Sequence, residues 1–216
     1  MNIGKNLFFI LLLFSLVIPF QGCKTKEHHA VISTEYGDIT ILLYNKTPQH
    51  RDNFIKLVNS GFYDSLLFHR VINDFMIQGG DPNSKKAAQG ELLGSGGPGY
   101  EIPAEIGAPH LRGALAAARL PSTDKRSSGS QFYIVTGTKQ NEAELKYYEE
   151  QKKITYNMAQ RHVYMNLGGY PSLDMEYTVF GEVVSGMDIV DKISKEQKDD
   201  HDRPLKDIRM KIKMID

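Results

Sequence analysis

Arg70 and Gln78 carry hydrogen-bond donors within a mostly apolar stretch, FHRVINDFMIQGGD, at positions 68–81. Arg70 has a guanidinium group that stays charged and presents several donors in a rigid fork, and Gln78 has an amide. A buried polar group without a partner costs about 1–3 kcal/mol, so an ordinary buried strand would rarely contain either residue. Either both side chains point outward from a half-exposed strand, or they line a pocket whose floor is formed by apolar neighbours.

The elements that must position these residues are mostly short strands. Residues 31–34 and 38–44 alternate between apolar and polar side chains, with a turn at Tyr36-Gly37 between them, which is typical of two half-buried strands. Further short apolar or alternating runs follow at residues 75–78, 113–118, 131–135, 177–184 and 208–214. Many short strands with few helices predict an antiparallel barrel or sandwich in one domain.

Two helices are predicted among these strands. The first begins at Thr47-Pro48, with Thr as the N-cap and Pro at the first helical position, and it ends at Gly61. The second follows the sequence Ser-Gly-Met-Asp at 185–188, which resembles a capping box.

Residues 139–170 interrupt the strand pattern and are rich in Glu, Lys, Gln and Tyr. Their larger apolar side chains recur at one or two helical turns, at Tyr147, Tyr148, Ile154, Met158 and Met165. This spacing predicts an amphipathic helix inserted between two strands. The insertion either packs on the surface of the barrel or forms a lid over a site.

Composition excludes one class of partner. The chain has 216 residues, of which 41% are hydrophobic and 24% charged, as is ordinary for a soluble globular protein. Lys and Arg together equal Asp and Glu together at 26 each, so the formal net charge is zero. A nucleic-acid-binding protein would normally carry a basic footprint, so we expect no nucleic-acid partner.

The N-terminus is typical of an export signal. Lys5 provides a positive start, and residues 7–20 are almost wholly apolar. This run of about 14 residues is shorter than the roughly 20 that a membrane-spanning helix needs. We therefore expect a signal peptide over residues 1–22 and a location in the periplasm or cell envelope.

Cys23, the only cysteine, follows Gly22 directly and rules out an intrachain disulfide. It resembles the lipid-accepting cysteine of bacterial lipoproteins, although Phe20 and Gln21 fit that motif loosely. We expect a lipidated Cys23 and a short tether over residues 23–29, which would anchor the following domain to a membrane. Cleavage near Gly22 without acylation and an uncleaved anchor are the alternatives.

Three blocks of the sequence together resemble the cyclophilins, a family of peptidyl-prolyl cis/trans isomerases. The first is the stretch 68–81, in which Phe-His-Arg, a spacer, Phe-Met, one residue and Gln-Gly-Gly-Asp are all in register. The second is GSQFYI at 129–134, and the third is SLD at 172–174 followed by YTVFG at 177–181. The blocks keep the order that they have in the family, and the resemblance covers about residues 30–216.

The resemblance implies a mainly β fold: a closed, antiparallel, eight-stranded β-barrel with two capping helices and the extra helical insertion. Residues 30–216 would form one monomeric isomerase domain that rotates X–Pro bonds in proline-containing peptides and in folding proteins. Rotation breaks no covalent bond, so neither a cofactor nor a metal is expected. The acidic cluster Asp-Asp-His-Asp at 199–202 has residue types that could hold a metal, but an exposed turn before Pro204 is the favoured interpretation.

The resemblance also implies the site residues. Arg70 would donate a hydrogen bond to the prolyl nitrogen, and Gln78 would orient Arg70 or hold the substrate backbone. The backbone at Arg119 would hold the residue before proline. The substrate-binding residues would be Phe75, Met76, Ala118, Arg119, Gln131, Tyr133, Leu173, Tyr177 and His69. For His69, a structural histidine with satisfied hydrogen bonds is the alternative.

Two positions depart from the family pattern. Ser172 stands where many members have Trp, and Tyr177 stands where they have His. Because the family's Trp contributes to binding cyclosporin, we expect weak inhibition by that compound. A module that binds proline segments without turnover, or a scaffold whose insertion docks a partner, are the competing interpretations. The presence of Arg70 favours the enzyme, since simple binding would not require a donor facing the prolyl nitrogen.

Overall fold

The structure, a computed structural model, describes residues 26–215, so the predicted signal peptide and Cys23 lie outside the described residues. Within this range no helix has both the length and the apolar character needed to cross a bilayer. The strands of this range are β1 His28–Thr34, β2 Gly37–Leu43, β3 Phe68–Ile72, β4 Met76–Gly79, β5 Glu101–Ile102, β6 Ala114–Ala117, β7 Ser127–Ser128, β8 Phe132–Val135, β9 Val179–Ser185 and β10 Lys211–Met214. Its α-helices are α1 Pro48–Asn59, α2 Glu142–Lys152, α3 Met158–Asn166 and α4 Met187–Ser194, and two 3₁₀ turns span Pro82–Lys86 and Pro171–Leu173.

Eight of the strands form one antiparallel sheet in the order β10-β1-β2-β9-β6-β8-β4-β3, and β5 pairs with β7. The sheet curls into a half-barrel, and the segments at the start of its two edge strands, β3 and β10, are hydrogen-bonded to each other. The amide of Phe68 donates to the carbonyl of Ile208 at 2.9 Å, and the amide of Met210 donates to the carbonyl of Leu66 at 2.8 Å. The predicted mainly β, eight-stranded antiparallel fold is confirmed.

Alternation along the strands separates the interior of this curled sheet from its outer face. In β8, Phe132 and Ile134 belong to the main hydrophobic core, whereas Tyr133 and Val135 belong to a second apolar cluster. In β4, Ile77 points into the main core and Met76 joins the second cluster. The second cluster therefore lies on the outer face.

The helices α1 and α4 cap the main core, as predicted. Helix α1 starts at Pro48 and buries Phe54, whose ring lies 5.8 Å from that of Phe132 and 5.6 Å from that of Phe180 between centroids. Helix α4 contributes Val190, which is fully buried in the same core.

The predicted capping box at residues 185–188 is wrong. The N-cap of α4 is Gly186, and no side chain caps the helix. Gly186 has a φ of 89°, and a Cβ added there would lie 2.4 Å from the carbonyl oxygen of Asp38. The position requires glycine for this close approach to β2. The helix therefore begins at a residue that the backbone geometry selects, without a side-chain cap.

The insertion contains two helices instead of the single predicted one. Lys153 adopts a left-handed conformation with φ of 54° and ends α2, and a capping box at Asn157 begins α3. The predicted apolar stripe is largely solvent-exposed: Tyr147 is 57% exposed and Met158 82% exposed. The small core of the insertion is formed instead by Leu145, Tyr156 and Tyr164. The spacing of apolar residues predicted one continuous helix, and this was wrong because the chain changes direction between the two helices.

Candidate active site

A pocket of about 510 Å³ lies on the outer face of the sheet. Strand β4 places Met76 and Gln78 at the pocket, and β8 adds Tyr133, because these positions alternate with residues of the main core. The structure brings together nearly all the predicted site residues, since the pocket is lined by Arg70, Phe75, Met76, Gln78, Ala118, Arg119, Gln131, Tyr133, Leu173 and Tyr177.

One side of the pocket is apolar. Met76 and Tyr133 are buried, at 1% and 5% exposure, and Phe75 and Leu173 pack against them. The ring of Tyr177 meets that of Tyr133 edge-on, with centroids 5.9 Å apart. This surface can accept a small apolar ring.

Arg119 fixes Tyr177 at the margin of the pocket. The guanidinium carbon of Arg119 lies 4.6 Å from the centroid of the Tyr177 ring, a cation–π arrangement. The same side chain donates from Nε to the carbonyl oxygen of Glu176 at 2.9 Å. Tyr177 is therefore held by contacts with both Arg119 and Tyr133.

Arg70, the predicted hydrogen-bond donor to the prolyl nitrogen, lies at the rim of the pocket. It faces Gln78 directly in the register of β3 and β4. Its side chain is 41% exposed, and its Nε lies 3.4 Å from Oδ2 of Asp202. Arg70 therefore combines solvent access with one carboxylate partner. It is not buried among the apolar residues of the floor.

The polar side of the pocket is a loop of glycines held by buried side chains. Gln78 Nε2 donates to Gln131 Oε1 at 3.0 Å, and Gln131 Nε2 donates to the carbonyls of Gly94 and Gly96 at 2.9 and 2.7 Å. The fully buried Asp81 accepts the amides of Gly94 and Gly96 through Oδ2 at 2.5 and 3.2 Å. The loop is thus held at both its amides and its carbonyls.

His69 does not line this pocket, although the resemblance placed it among the substrate-binding residues. It is 4% exposed and borders a separate cavity of about 210 Å³. Neither ring nitrogen makes a well-formed hydrogen bond among the described residues. Burial lowers the pKa of His69 to about 4, which keeps the ring neutral near pH 7.

Sequence reasoning missed three carboxylates and a histidine around the pocket. Asp202 was assigned to an exposed turn, but it contacts Arg70. Asp81 and Asp174 are fully or almost fully buried, and they end the motifs Gln-Gly-Gly-Asp and Ser-Leu-Asp, which was the available signal. His110, fully buried, bonds to Asp174 and had no signal of its own. Among residues 26–215, no group of three or more His, Cys, Asp or Glu could hold a metal ion.

Comparison with protein families and curated proteins agrees with this geometry. The family model described as "Cyclophilin type peptidyl-prolyl cis-trans isomerase/CLD" matches residues 29–214. A protein of Staphylococcus aureus (strain NCTC 8325 / PS 47) named "Putative peptidyl-prolyl cis-trans isomerase" is 33% identical over 194 residues, which cover 84% of this chain and 88% of that protein. A protein of the same name from Staphylococcus epidermidis is 31% identical over 197 residues, with coverage of 86% and 90%.

Solved structures show the same similarity. The crystal structure of a cyclophilin type peptidyl-prolyl cis-trans isomerase of Cryptosporidium parvum matches with a TM-score of 0.66 at 26% identity, covering 88% of this chain and 99% of that chain. A structure of that enzyme in the presence of the dipeptide Ala-Pro matches with a TM-score of 0.64 at 26% identity, covering 87% and 99%. Because the family model covers residues 29–214 and the curated relatives are more than 30% identical over most of the chain, this chain belongs to the cyclophilin-type peptidyl-prolyl cis/trans isomerases.

Proposed function

We propose that Arg70 accelerates rotation about an X–Pro bond by donating a hydrogen bond to the prolyl nitrogen. The proline ring would occupy the apolar side of the pocket, against Phe75, Met76 and Tyr133. The observation that supports this is the meeting of a permanently charged donor and a buried apolar surface around one pocket. The Cryptosporidium parvum relative was solved in the presence of Ala-Pro, which supports a proline-containing peptide as the ligand.

The chemistry requires selective stabilisation of a twisted amide. Resonance makes the peptide bond planar, and the barrier to its rotation is about 18–20 kcal/mol. When the amide twists, the prolyl nitrogen regains its lone pair and becomes a hydrogen-bond acceptor. A donor placed at that nitrogen binds the twisted state and not the planar one, and such differential binding is what accelerates the step.

Arg70 alone supplies only part of the acceleration. One hydrogen bond to a charged group is worth about 1.5–3 kcal/mol net. A thousandfold acceleration requires roughly 4 kcal/mol. The remainder would come from fixed surroundings that orient the peptide: the apolar wall, the backbone at Ala118 and Arg119, and the Gln78–Gln131 pair. Asp202 is the side chain that contacts Arg70. In this proposal Gln78 therefore has the other role expected of it, which is to hold the substrate backbone.

The test is cis/trans exchange in a short Ala-Pro peptide, measured by NMR with the full chain in mild detergent. Arg70→Ala should lower kcat/KM about 10- to 100-fold, which corresponds to one charge-assisted hydrogen bond. Arg209→Ala is the matched control, because Arg209 is also partly exposed, at 46%, with a carboxylate partner in Asp207 at 3.0 Å, and it lies outside the pocket. Equal activity of Arg70→Ala and the parent would overturn the proposed role of Arg70.

We also propose that the enzyme assists the folding of exported proteins from a membrane anchor at Cys23. The leader sequence supports this: a basic start, a short apolar run and a cysteine directly after Gly22. Growth of a bacterial host with a clickable fatty acid should label the full chain, and Cys23→Ser should abolish the label. Labelling that persists in Cys23→Ser, or its absence from the parent, would contradict the anchor.

A further inference from the structure

The insertion, residues 139–170, lies beside the active-site pocket without entering it. No residue of the insertion lines the 510 Å³ pocket in the described part of the chain, so the lid interpretation has no support there. The insertion nevertheless supports residues of the pocket wall, among them Phe75 directly and Tyr133 indirectly.

The first contact runs through the carboxylate of Asp174, which is 2% exposed. Its Oδ2 accepts the hydroxyls of Tyr156 and Tyr164, each at 2.6 Å, from the insertion. Its Oδ1 accepts the backbone amide of His110 at 2.6 Å and bonds to Nδ1 of that ring at 2.9 Å. A buried carboxylate requires such partners, and here four donors satisfy both oxygens.

The hydrogen bonds continue from Asp174 to the pocket wall. The carboxylate can only accept, so Nδ1 of His110 carries the proton that it donates. In the neutral ring Nε2 is then an acceptor, and it lies 3.0 Å from the hydroxyl of Tyr133. The two rings are nearly parallel, at 14°, with centroids 6.0 Å apart. The orientation of Tyr133 is therefore tied to the insertion through two buried side chains.

All three tyrosines keep their protons in this arrangement. Burial, followed by the nearby Asp174 carboxylate, raises the pKa of Tyr156 and of Tyr164 far above the usual value. Burial also raises the pKa of Tyr133. The hydroxyls therefore remain donors throughout the physiological range of pH.

A second contact supports the same wall. The ring of Tyr170, at the end of the insertion, lies against that of Phe75 with centroids 4.3 Å apart and an angle of 34°. The backbone amide of Tyr170 donates to the carbonyl of His110 at 2.8 Å. The proline ring would contact two aromatic residues of the wall, Phe75 and Tyr133. The insertion thus supports Phe75 directly and Tyr133 through Asp174 and His110.

We propose that Tyr156 and Tyr164 are positioning residues that hold Tyr133 in place for the substrate through Asp174 and His110. This inference rests on the proposed function of the pocket. It assigns the insertion a role as a support for the proline-binding wall. Loss of this support would change the binding of a short peptide, even though no part of the insertion contacts the peptide.

The test is the double variant Tyr156→Phe/Tyr164→Phe, with Tyr147→Phe as the control because Tyr147 is an exposed tyrosine of the same insertion. KM for an Ala-Pro peptide should rise about tenfold in the double variant, in line with the sensitivity of reactions to small displacements of positioned groups. kcat should stay close to the parent value, because the wall contacts the proline ring in both the planar and the twisted states. Tyr147→Phe should leave both constants unchanged.

The outcomes separate this inference from the proposed function. A parent protein without isomerase activity would overturn the function. An active parent and a folded double variant with the same KM would overturn the inference, including where the variant has a lower melting temperature, since that would show a structural role alone.

If the double variant does not fold, an experiment on the parent protein still tests the inference. In the full chain labelled at its tyrosine rings, saturating Ala-Pro peptide should shift the NMR signals of Tyr156 and Tyr164 and leave that of Tyr147 in place. A shift confined to the pocket residues Tyr133 and Tyr177 would overturn the inference.

Discussion

Arg70 and Asp202 face each other at the rim of the pocket, with Nε and Oδ2 3.4 Å apart. They are far apart in sequence, and the backbone joins them as well: the amide of Val71 donates to the carbonyl of Asp202 at 2.8 Å. Asp202 also accepts from Lys198 at 2.7 Å, so its carboxylate is held in place. The contact occupies only one of the five N–H groups of the guanidinium, which leaves donors for a substrate.

Asp202 should therefore act on catalysis only through Arg70. Asp202→Asn keeps a residue type that tolerates the φ of 63° at this position. Because a partly exposed ion pair is worth about 0.2–1 kcal/mol, kcat/KM for an Ala-Pro peptide should fall by no more than about fivefold. In the Arg70→Ala background the same substitution should have no further effect. An equal fall in both backgrounds, measured by NMR exchange, would show that Asp202 acts independently of Arg70.

Gly96 should be required for the polar side of the pocket. A Cβ at this position would lie 2.1 Å from Oδ1 of Asp81 and 2.8 Å from Nδ2 of Asn83, so Gly96→Ala must displace the loop or the carboxylate. We expect a raised KM for peptide and a loss of about 1–3 kcal/mol in the free energy of unfolding, measured by urea denaturation.

Gly107→Ala is the control for Gly96→Ala, since nothing lies within 4 Å of a Cβ added at Gly107. Its free energy of unfolding should stay within about 0.5 kcal/mol of the parent value. Peptide binding by Gly96→Ala that matches the parent would show that the loop does not depend on its fit to Asp81.

His69 should make stability depend on pH. Burial lowers the pKa of His69 to about 4 in the folded protein, whereas the unfolded chain has the ordinary value near 6.5. Between these values the unfolded state binds the additional proton, so the stabilising contribution is complete above pH 6.5 and is lost as the pH falls towards 4. The shift corresponds to roughly 3 kcal/mol.

Urea denaturation at several pH values tests this linkage. In His69→Leu the free energy of unfolding should fall less between pH 6.5 and pH 4 than in the parent, because the titrating group is gone. His162→Leu, which replaces an exposed histidine in the same way, is the variant for comparison. The same slope in His69→Leu and the parent would show that His69 does not titrate as its burial implies.

The residues of the pocket wall could be predicted from the sequence, but the residues that support the wall could not. The two-residue period of a strand places Met76, Gln78 and Tyr133 on the outer face, because each alternates with a residue of the main core. His69 escapes this rule because the register of β3 against β4 shifts between Phe68 and Arg70, where a bulge changes the direction of side chains.

The supporting groups depend on contacts between distant parts of the chain. Asp202 meets Arg70 only because the curled sheet brings the C-terminal segment to β3, and no local pattern encodes that meeting. The two tyrosines that reach Asp174 lie off the apolar stripe from which one helix was predicted. The capping sequences Asn141-Glu-Ala-Glu144 and Asn157-Met-Ala-Gln160 were the local signals for two helices.

Ser172 should determine the response to cyclosporin. The resemblance places it where many cyclophilins have the Trp that contributes to binding this compound. In the structure it borders a groove beside Met175, outside the walls of the active-site pocket. The parent should be weakly inhibited in the Ala-Pro exchange assay. Ser172→Trp should strengthen inhibition at least about tenfold, the effect of one aromatic hot-spot contact. Tyr148→Trp, which adds the same ring elsewhere in the groove, should leave inhibition unchanged, and strong inhibition of the parent would contradict the assignment.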